Sequence, residues 1–194
     1  MQSDWPAGKG QTVADAPGRP GRRIVVIGTS GSGKTTMARH IAARLGLLHV
    51  ELDALHWEPG WVETPPEVMR ERVRAASAGD AWVFDGNYSV VRDILWARAD
   101  TVVWLDFPLH VILWRLWWRT LDRALMRREL WNGNRERLYT HFFTRDSLFL
   151  WVLQSYPRRR REYPMLLSRP EYAHLTTIRL RSPREARRWL EGLG

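Results

Sequence analysis

The sequence predicts an α/β fold in which a single parallel sheet is covered by helices on both faces. Three observations predict it: five short apolar runs spread along the chain, helical periodicity between them, and a glycine-rich turn joining the first run to the first helix. The 194 residues are 44% hydrophobic and 26% charged, enough apolar material for one domain with a sizeable core.

Residues 1–22 are rich in Gly and Pro and contain no apolar block, so they read as a flexible leader rather than a secretory signal. Arg23 to Ile27 is a β-branched run and therefore the first strand, and Thr35 to Leu45 follows with Ala38, Ile41, Ala42 and Leu45 at helical spacing. Leu48 to Leu52 is a second strand. Pro65 to Ser77 has the polar amphipathic pattern of an exposed helix. Ala81 to Phe84 and Thr101 to Leu105 are a third and a fourth strand, each followed by an aspartate. Leu175 to Leu180 supplies the fifth strand before a terminal helix, Pro183 to Leu193. Short, wholly apolar strands alternating with helices specify a parallel sheet buried on both sides. Between the last two strands, residues 115–170 form a mostly helical insertion read as a lid, so the domain proper is 23–194.

The absence of Cys excludes disulfides, thiolate metal clusters and cysteine nucleophiles, and it suits a reducing, cytoplasmic setting. The longest apolar stretch, Phe107 to Trp118, is broken by His110 and Arg115, so no membrane span is expected. The net charge of +9 is local: residues 109–169 hold 13 Arg against five acids. Arg suits bidentate phosphate recognition, so this segment is expected to face nucleotide phosphates or a polynucleotide backbone. Of 12 Trp, Trp82 and Trp104 belong to strand cores. Trp114, Trp117 and Trp118 are assigned to helix packing, and Trp57, Trp61 and Trp131 to loops that can meet a ligand.

Gly28, Thr29, Ser30, Gly31, Ser32, Gly33, Lys34 and Thr35 match G-x-x-x-x-G-K-S/T in full, between a predicted strand and a predicted helix. Such a P-loop lets successive backbone N–H groups and the helix N-terminus point at phosphate oxygens. Lys34 then neutralises the β- and γ-phosphates, Thr35 offers its hydroxyl to Mg²⁺, and Thr36 joins the nucleotide-binding set. The Mg²⁺ site also calls for a carboxylate at a strand end. Asp85 and Asp106 both qualify. Asp85 is favoured because Gly86 permits close backbone approach, whereas Asp106 precedes Pro108 and suits a helix cap. A guanine-reading N-K-x-D element is excluded, because the only lysines are Lys9 and Lys34. An AAA-type ATPase would bring more chain and its own sensor elements. A small phosphotransferase needs a short sheet, an acceptor pocket and an Arg-bearing lid, and the pattern supplies all three.

These residues resemble the adenylate-kinase-like P-loop kinases. More narrowly, they resemble the bacterial group labelled DNA topology modulation or adenylate kinase-related proteins. The likeness runs through the P-loop, Leu52-Asp53, Val83-Phe84-Asp85-Gly86-Asn87-Tyr88, Leu105-Asp106-Phe107-Pro108, Arg115 with Arg119, and Leu130-Trp131-Asn132-Gly133-Asn134-Arg135-Glu136. The resemblance implies the P-loop NTPase three-layer sandwich with a five-stranded parallel sheet and a helical Arg-rich lid insertion. It also implies ATP with Mg²⁺, and Arg115 and Arg119 on the ATP phosphates or adenine. Adenylate kinases carry D-G-F/Y-P-R, with the Arg on the acceptor's phosphate. Here the turn continues to Ser89 without that Pro and Arg, and Arg92 stands one helical turn beyond Tyr88.

Asp53, closing the second strand with Glu51 two residues earlier on the same face, is placed to accept a hydrogen bond from an acceptor hydroxyl and act as its base. That favours an alcohol acceptor, with His56, Trp57 and Trp61 lining its pocket. Arg135 and Arg137, after the Asn132-Gly133-Asn134 turn, are candidates to close on the γ-phosphate, and the run Arg158–Arg161 reads as a solvated face. The catalytic set is therefore Lys34, Asp53, Arg119 and Arg135, with Thr35 and Asp85 at the metal. The expected function is transfer of the ATP γ-phosphate to a nucleotide, nucleoside or other small hydroxyl acceptor. The alternative is a nucleotide-dependent nucleic-acid-binding protein whose basic insertion grips phosphates.

Overall fold

The computed structural model describes residues 18–126 and 148–193. The main sheet has five strands: β1 (Arg23–Gly28), β2 (Leu48–Glu51), β5 (Trp82–Asp85), β6 (Thr101–Leu105) and β7 (Thr176–Leu180). Their spatial order is β2-β5-β1-β6-β7 and every pairing is parallel. All five predicted strands are present within a residue or two of their expected bounds. Between β2 and β5 the chain adds α2 (Leu52–His56), a small antiparallel hairpin of β3 (Trp57–Glu58) and β4 (Val62–Glu63), and α3 (Pro66–Ala76). The helices that follow are α4 (Arg92–Arg98), α5 (Leu109–Met126), α6 (Leu148–Leu167) and α7 (Pro183–Glu191), while α1 (Lys34–Leu45) links β1 to β2.

Alternation along the strands divides the core in two. Ile24, Val26, Val83, Val103, Leu105, Ile178 and Leu180 face α1, α7, Ile112 and Leu116 of α5, and Val152 of α6. Val25, Ile27, Trp82, Phe84, Val102 and Trp104 face α3, α4 and the C-terminal end of α6. Helix α1 buries Met37, Ala38, Ile41 and Ala42, spaced on one stripe, and ends where Gly46 takes the left-handed conformation and donates to Ala42 O. Helix α7 starts at Ser182, whose hydroxyl accepts from the Glu185 amide at 3.2 Å, while the Glu185 carboxylate accepts from the Arg181 amide at 2.6 Å. This is a reciprocal arrangement of the capping-box kind. Residues ahead of β1 are also tied down: Gly21 N–H donates to Thr101 Oγ1 at 2.9 Å and Arg22 N–H to Asp100 at 3.1 Å.

One assignment is corrected. Trp82 and Trp104 are core residues, but Trp114, Trp117 and Trp118 are 64%, 44% and 54% exposed. Helix α5 docks through Ile112 and Leu116, four residues apart, so the positions between them turn outward. Trp114 and Trp118 meet edge to face at 5.6 Å on that outer side.

Candidate functional site

Strand β1 runs into the glycine-rich loop at Gly28, and β5 and β6 flank it on opposite sides, so the loop lies where the strand order reverses. Open parallel sheets bind ligands outside the carboxyl ends of such strands. The loop depends on its glycines: Gly28, Gly31 and Gly33 have φ of 152°, 84° and 92°. A Cβ on Gly28 would meet Ser32 Oγ at 2.8 Å and Leu105 O at 2.9 Å, and one on Gly31 would meet Ile112 O at 3.1 Å. The Ser32 amide donates to Thr29 O at 3.0 Å and the Met37 amide to Gly33 O at 3.0 Å, closing the loop into the first turn of α1. Lys34 Nζ donates to Thr29 O at 3.5 Å, and Thr35 and Thr36 follow in the first turn of α1. Ser32 Oγ is buried with no hydrogen-bond partner. A backbone curled by three glycines around an unsatisfied hydroxyl fits an oxygen-rich anion such as a triphosphate.

Arg115 lies against this loop. Its Nη1 donates to Ser32 O at 2.8 Å and its guanidinium stands 5.1 Å from the Phe107 ring. Burial lowers its pKa. Arg119 is one turn further along α5, its side chain outside the described part, and Arg135 lies outside the described residues altogether, as do Trp131 and Arg137.

The strand-end carboxylates divide clearly. Asp85 ends β5, is buried, and its Oδ2 lies 3.1 Å from His49 Nε2 on β2. Glu51, level with Asp85 in the β2–β5 register, is held by Arg39 of α1 at 2.6 Å. Asp106 is buried at the end of β6, but Arg179 and Arg160 occupy its oxygens, Arg160 Nε at 2.9 Å from Oδ1. Asp106 therefore anchors α6 and β7 to β6 and is neither a helix cap nor open toward the loop. Among the described residues no cluster of three His, Asp or Glu is arranged to hold a metal. Mg²⁺ at this loop would share its coordination with phosphates, as it commonly does, needing only Thr35 and one carboxylate such as Asp85.

Asp53 falls in the first turn of α2 rather than at the end of a strand, and Tyr88 Oη donates to its Oδ1 at 2.7 Å. Burial, then the adjacent Asp53 charge, raises the Tyr88 pKa, so the phenol stays a proton donor at neutral pH. The His56 ring lies 4.4 Å from Tyr88 and 4.7 Å from Trp57, with Nδ1 buried and without a hydrogen-bond partner. Trp61, with φ of 60°, is the one non-glycine among the described residues in the left-handed region, and it meets Trp57 edge to face at 5.5 Å. Backbone strain in a bulky residue of this kind concentrates at functional sites. His56, Trp57 and Trp61 thus contact one another in series, and His56 lies against the Tyr88 ring whose hydroxyl reaches Asp53.

Two residues to which the sequence reading gave no role complete the site. Asn87 takes both backbone groups of Gly28: the Gly28 N–H donates to Oδ1 at 3.2 Å, and Nδ2 donates to Gly28 O. The turn after β5 is thereby stitched to the first glycine of the loop, with Tyr88 carrying the connection on to Asp53. His49 is the other, and only its place two residues before Glu51 on a short strand pointed to it.

Comparison with known proteins agrees with this geometry. A family model described as "ATPase family associated with various cellular activities (AAA)" matches residues 24–96, the stretch from β1 through most of α4. A shikimate kinase of Synechococcus elongatus is 29% identical over 113 residues, covering 50% of this chain and 58% of its own. One from Nitrobacter winogradskyi is 29% identical over 124 residues, covering 55% and 56%. The chain thus spans a little over half the length of these curated relatives. Among solved structures, the shikimate kinase from Acinetobacter baumannii in complex with shikimate superposes with a TM-score of 0.54 at 19% identity, over 91% of this chain and 92% of that one. The Aquifex aeolicus shikimate kinase gives 0.51 at 16% identity, over 88% and 95%. No helix among the described residues is long and apolar enough to cross a membrane. Loop, strand order and structural neighbours agree on the fold: a five-stranded parallel α/β domain with a G-x-x-x-x-G-K-T loop after its first strand, sharing its architecture with shikimate kinases.

Proposed function

We propose that the chain is an ATP-dependent phosphotransferase that moves the γ-phosphoryl group of ATP to a hydroxyl of a small acceptor bound at Asp53. The observation that carries this reading is the continuous connection Gly28–Asn87–Tyr88–Asp53, which holds a phosphate-binding loop and a hydroxyl-accepting carboxylate on one side of the same sheet. The kinase names of the curated relatives support it.

The loop amides of residues 28–33 and Lys34 hold the phosphates. Thr35, with Asp85 acting through water, would hold Mg²⁺, which when bound neutralises phosphate charge. Asp53 accepts the proton of the acceptor hydroxyl as that oxygen bonds to the γ-phosphorus and the bond to ADP breaks. Tyr88 fixes the Asp53 carboxylate by occupying Oδ1, leaving Oδ2 for the hydroxyl. Arg115 sits against the loop, and Arg119 and Arg135 are assigned to the phosphates in the closed state. The narrower adenylate kinase-related assignment remains part of this reading, as does a cytoplasmic location.

Within the basic segment Arg115 and Arg159 turn inward, to Ser32 O and the Trp151 ring, and Arg160 pairs with Asp106, while Arg158, Arg161 and Arg169 are exposed. The deciding experiment is ATP consumption by the purified protein with nucleoside monophosphates, nucleosides and small hydroxylated metabolites, with duplex DNA added separately. Stimulation by one small acceptor, lost in Lys34→Ala, is the expected result; stimulation by DNA alone would overturn the reading.

A further inference from the structure

Strand β2 forms the edge of the main sheet and pairs with β5, in a register that sets His49 level with Val83 and Glu51 level with Asp85. Level residues of neighbouring strands project to the same face, so His49, Glu51, Val83 and Asp85 share one. It is the face on which Val83 packs toward α1. Two carboxylates therefore stand side by side at the carboxyl ends of β2 and β5. Each is matched by a different basic side chain: Arg39, from α1, reaches Glu51 at 2.6 Å, and His49 Nε2 lies 3.1 Å from Asp85 Oδ2.

Asp85 is buried, and 16% of the His49 side chain is exposed. A carboxylate has only acceptor oxygens, so the hydrogen of this contact belongs to His49 Nε2. The contact takes Oδ2 and leaves Oδ1 of the same carboxylate. The terminal torsion of an aspartate is broad and nearly twofold, so an untethered carboxylate presents either oxygen over a range of directions. A donor held on Oδ2 removes that freedom, and inside a protein such a bond is stronger than in water. Packing alone does not call for imidazole at this position. Continuing across the sheet, the residues level with Val83 and Asp85 are Ile24 and Val26, both buried. An aliphatic side chain would suit that apolar face as well, but it could not donate to Asp85.

Resting on the phosphotransferase reading, in which Asp85 acts on Mg²⁺ through water, we propose that His49 is a positioning residue for the metal site. Its Nε2–H fixes Oδ2 of Asp85 and so presents Oδ1 to that water. In this role His49 acts through Asp85 and contacts neither nucleotide nor acceptor. Arg39 holds Glu51, so the neighbouring carboxylate does not compete for the imidazole. Partners of this kind, one step removed from a metal, set the direction of the groups that serve it.

The test reads metal dependence without turnover. Affinity of the whole chain for a non-hydrolysable ATP analogue is measured calorimetrically in Mg²⁺ and again in EDTA, and the ratio of the two affinities gives what the metal adds to binding. His49→Phe keeps a flat ring but has no donor. It should lower that ratio about threefold to tenfold, the net worth of one hydrogen bond, while the affinity in EDTA stays at the wild-type value. His49→Gln, whose amide nitrogen can donate from nearly the same place, should restore the ratio. On an Asp85→Asn background His49→Phe should have no further effect, because residues that act through one another are not additive. An unchanged ratio in His49→Phe, even with a lower urea midpoint, would overturn the proposal, since the histidine would then be structural only. So would an equal fall on the Asp85→Asn background, which would make His49 independent of Asp85. If His49→Phe does not fold, His49→Asn, polar but too short to reach Oδ2, takes its place with the same expectation. An Asp85→Asn protein with the wild-type ratio would remove Asp85 from the metal site, and this inference with it. Failure of wild type to bind the analogue at all would instead sink the phosphotransferase reading itself.

Discussion

The Tyr88 hydroxyl donates to Asp53 Oδ1 across 2.7 Å, joining the turn after β5 to the first turn of α2. The pair separates two roles that one substitution each can test. Asp53→Asn removes the proton acceptor, and phosphoryl transfer should fall by about 10²- to 10⁴-fold, the usual contribution of a positioned general base. Tyr88→Phe keeps the carboxylate but frees its orientation, and about one hydrogen bond's worth of transition-state positioning, roughly fivefold to tenfold in kcat, should go. Titration with a non-hydrolysable ATP analogue should give wild-type affinity for both variants. A loss of nucleotide binding in Asp53→Asn would place that residue in the metal or phosphate site instead.

The same contact predicts an alkaline effect on stability. Burial first, then the Asp53 charge, raises the Tyr88 pKa in the folded protein, while an unfolded tyrosine titrates near 10. A group whose folded pKa is raised contributes stability that is complete below its unfolded pKa and is lost as the pH climbs toward the folded one. Stability of the wild-type chain should therefore fall as the pH rises past about 10, and Tyr88→Phe should flatten that part of the curve. Urea unfolding at pH 8 and at pH 10.5, compared for the two proteins, measures it; identical slopes would show that Tyr88 is not responsible.

Asn87 grips both backbone groups of Gly28, so Asn87→Ala should cost roughly 2 kcal/mol of stability, about 1 kcal/mol for each hydrogen bond lost. Asn87→Asp should be worse for nucleotide than for folding. Its carboxylate can still accept from the Gly28 amide, but it faces the Gly28 carbonyl and the phosphate site with a negative charge. ADP titration of the two variants should give the weaker affinity for Asn87→Asp, even though the size of the side chain is preserved.

What the sequence made legible follows from range. Strands β1, β5 and β6 are continuous β-branched or aromatic runs, and the P-loop is a contiguous motif, so each declares itself within ten residues. Helix α4 has seven residues and the β3–β4 hairpin two per strand, too short for either period to register. The facing of α5 was equally hidden, because Trp114, Trp117 and Trp118 are as apolar as Ile112 and Leu116, and only the docking of the helix decides which are buried. Trp114→Ser should accordingly change stability by less than about 1 kcal/mol, whereas Trp104→Ala, in the sheet core, should cost about 3–5 kcal/mol. Thermal unfolding of both variants tests that difference. The site was legible where its residues adjoin the loop. The burial of Arg159 was not, because one arginine in a run of four looks like its neighbours until the docking of its helix sets which of them packs on Trp151.

Asp85 and Asp106 occupy matching positions, each at the carboxyl end of a strand beside β1, and long-range partners alone distinguish them. Asp85 faces His49 at 3.1 Å. Asp106, with 1% of its side chain exposed, is occupied by Arg160 and Arg179. Asp106→Asn keeps the shape and removes the negative charge, stranding two guanidinium groups. Breaking a buried pair from one side costs about 3–5 kcal/mol, and the partial exposure of both arginines puts the expected loss near the lower end of that range. Its Mg²⁺ requirement should be unchanged. Asp85→Asn should behave the other way: about a ten- to hundredfold rise in the Mg²⁺ concentration needed for turnover, as for residues that orient a metal through water, with a smaller stability loss. Urea midpoints and Mg²⁺ titrations of the two variants give four numbers. If Asp106→Asn shifts the Mg²⁺ dependence while Asp85→Asn unfolds the chain, the metal carboxylate is on β6, and the ion pairs to Arg160 and Arg179 must open when nucleotide binds.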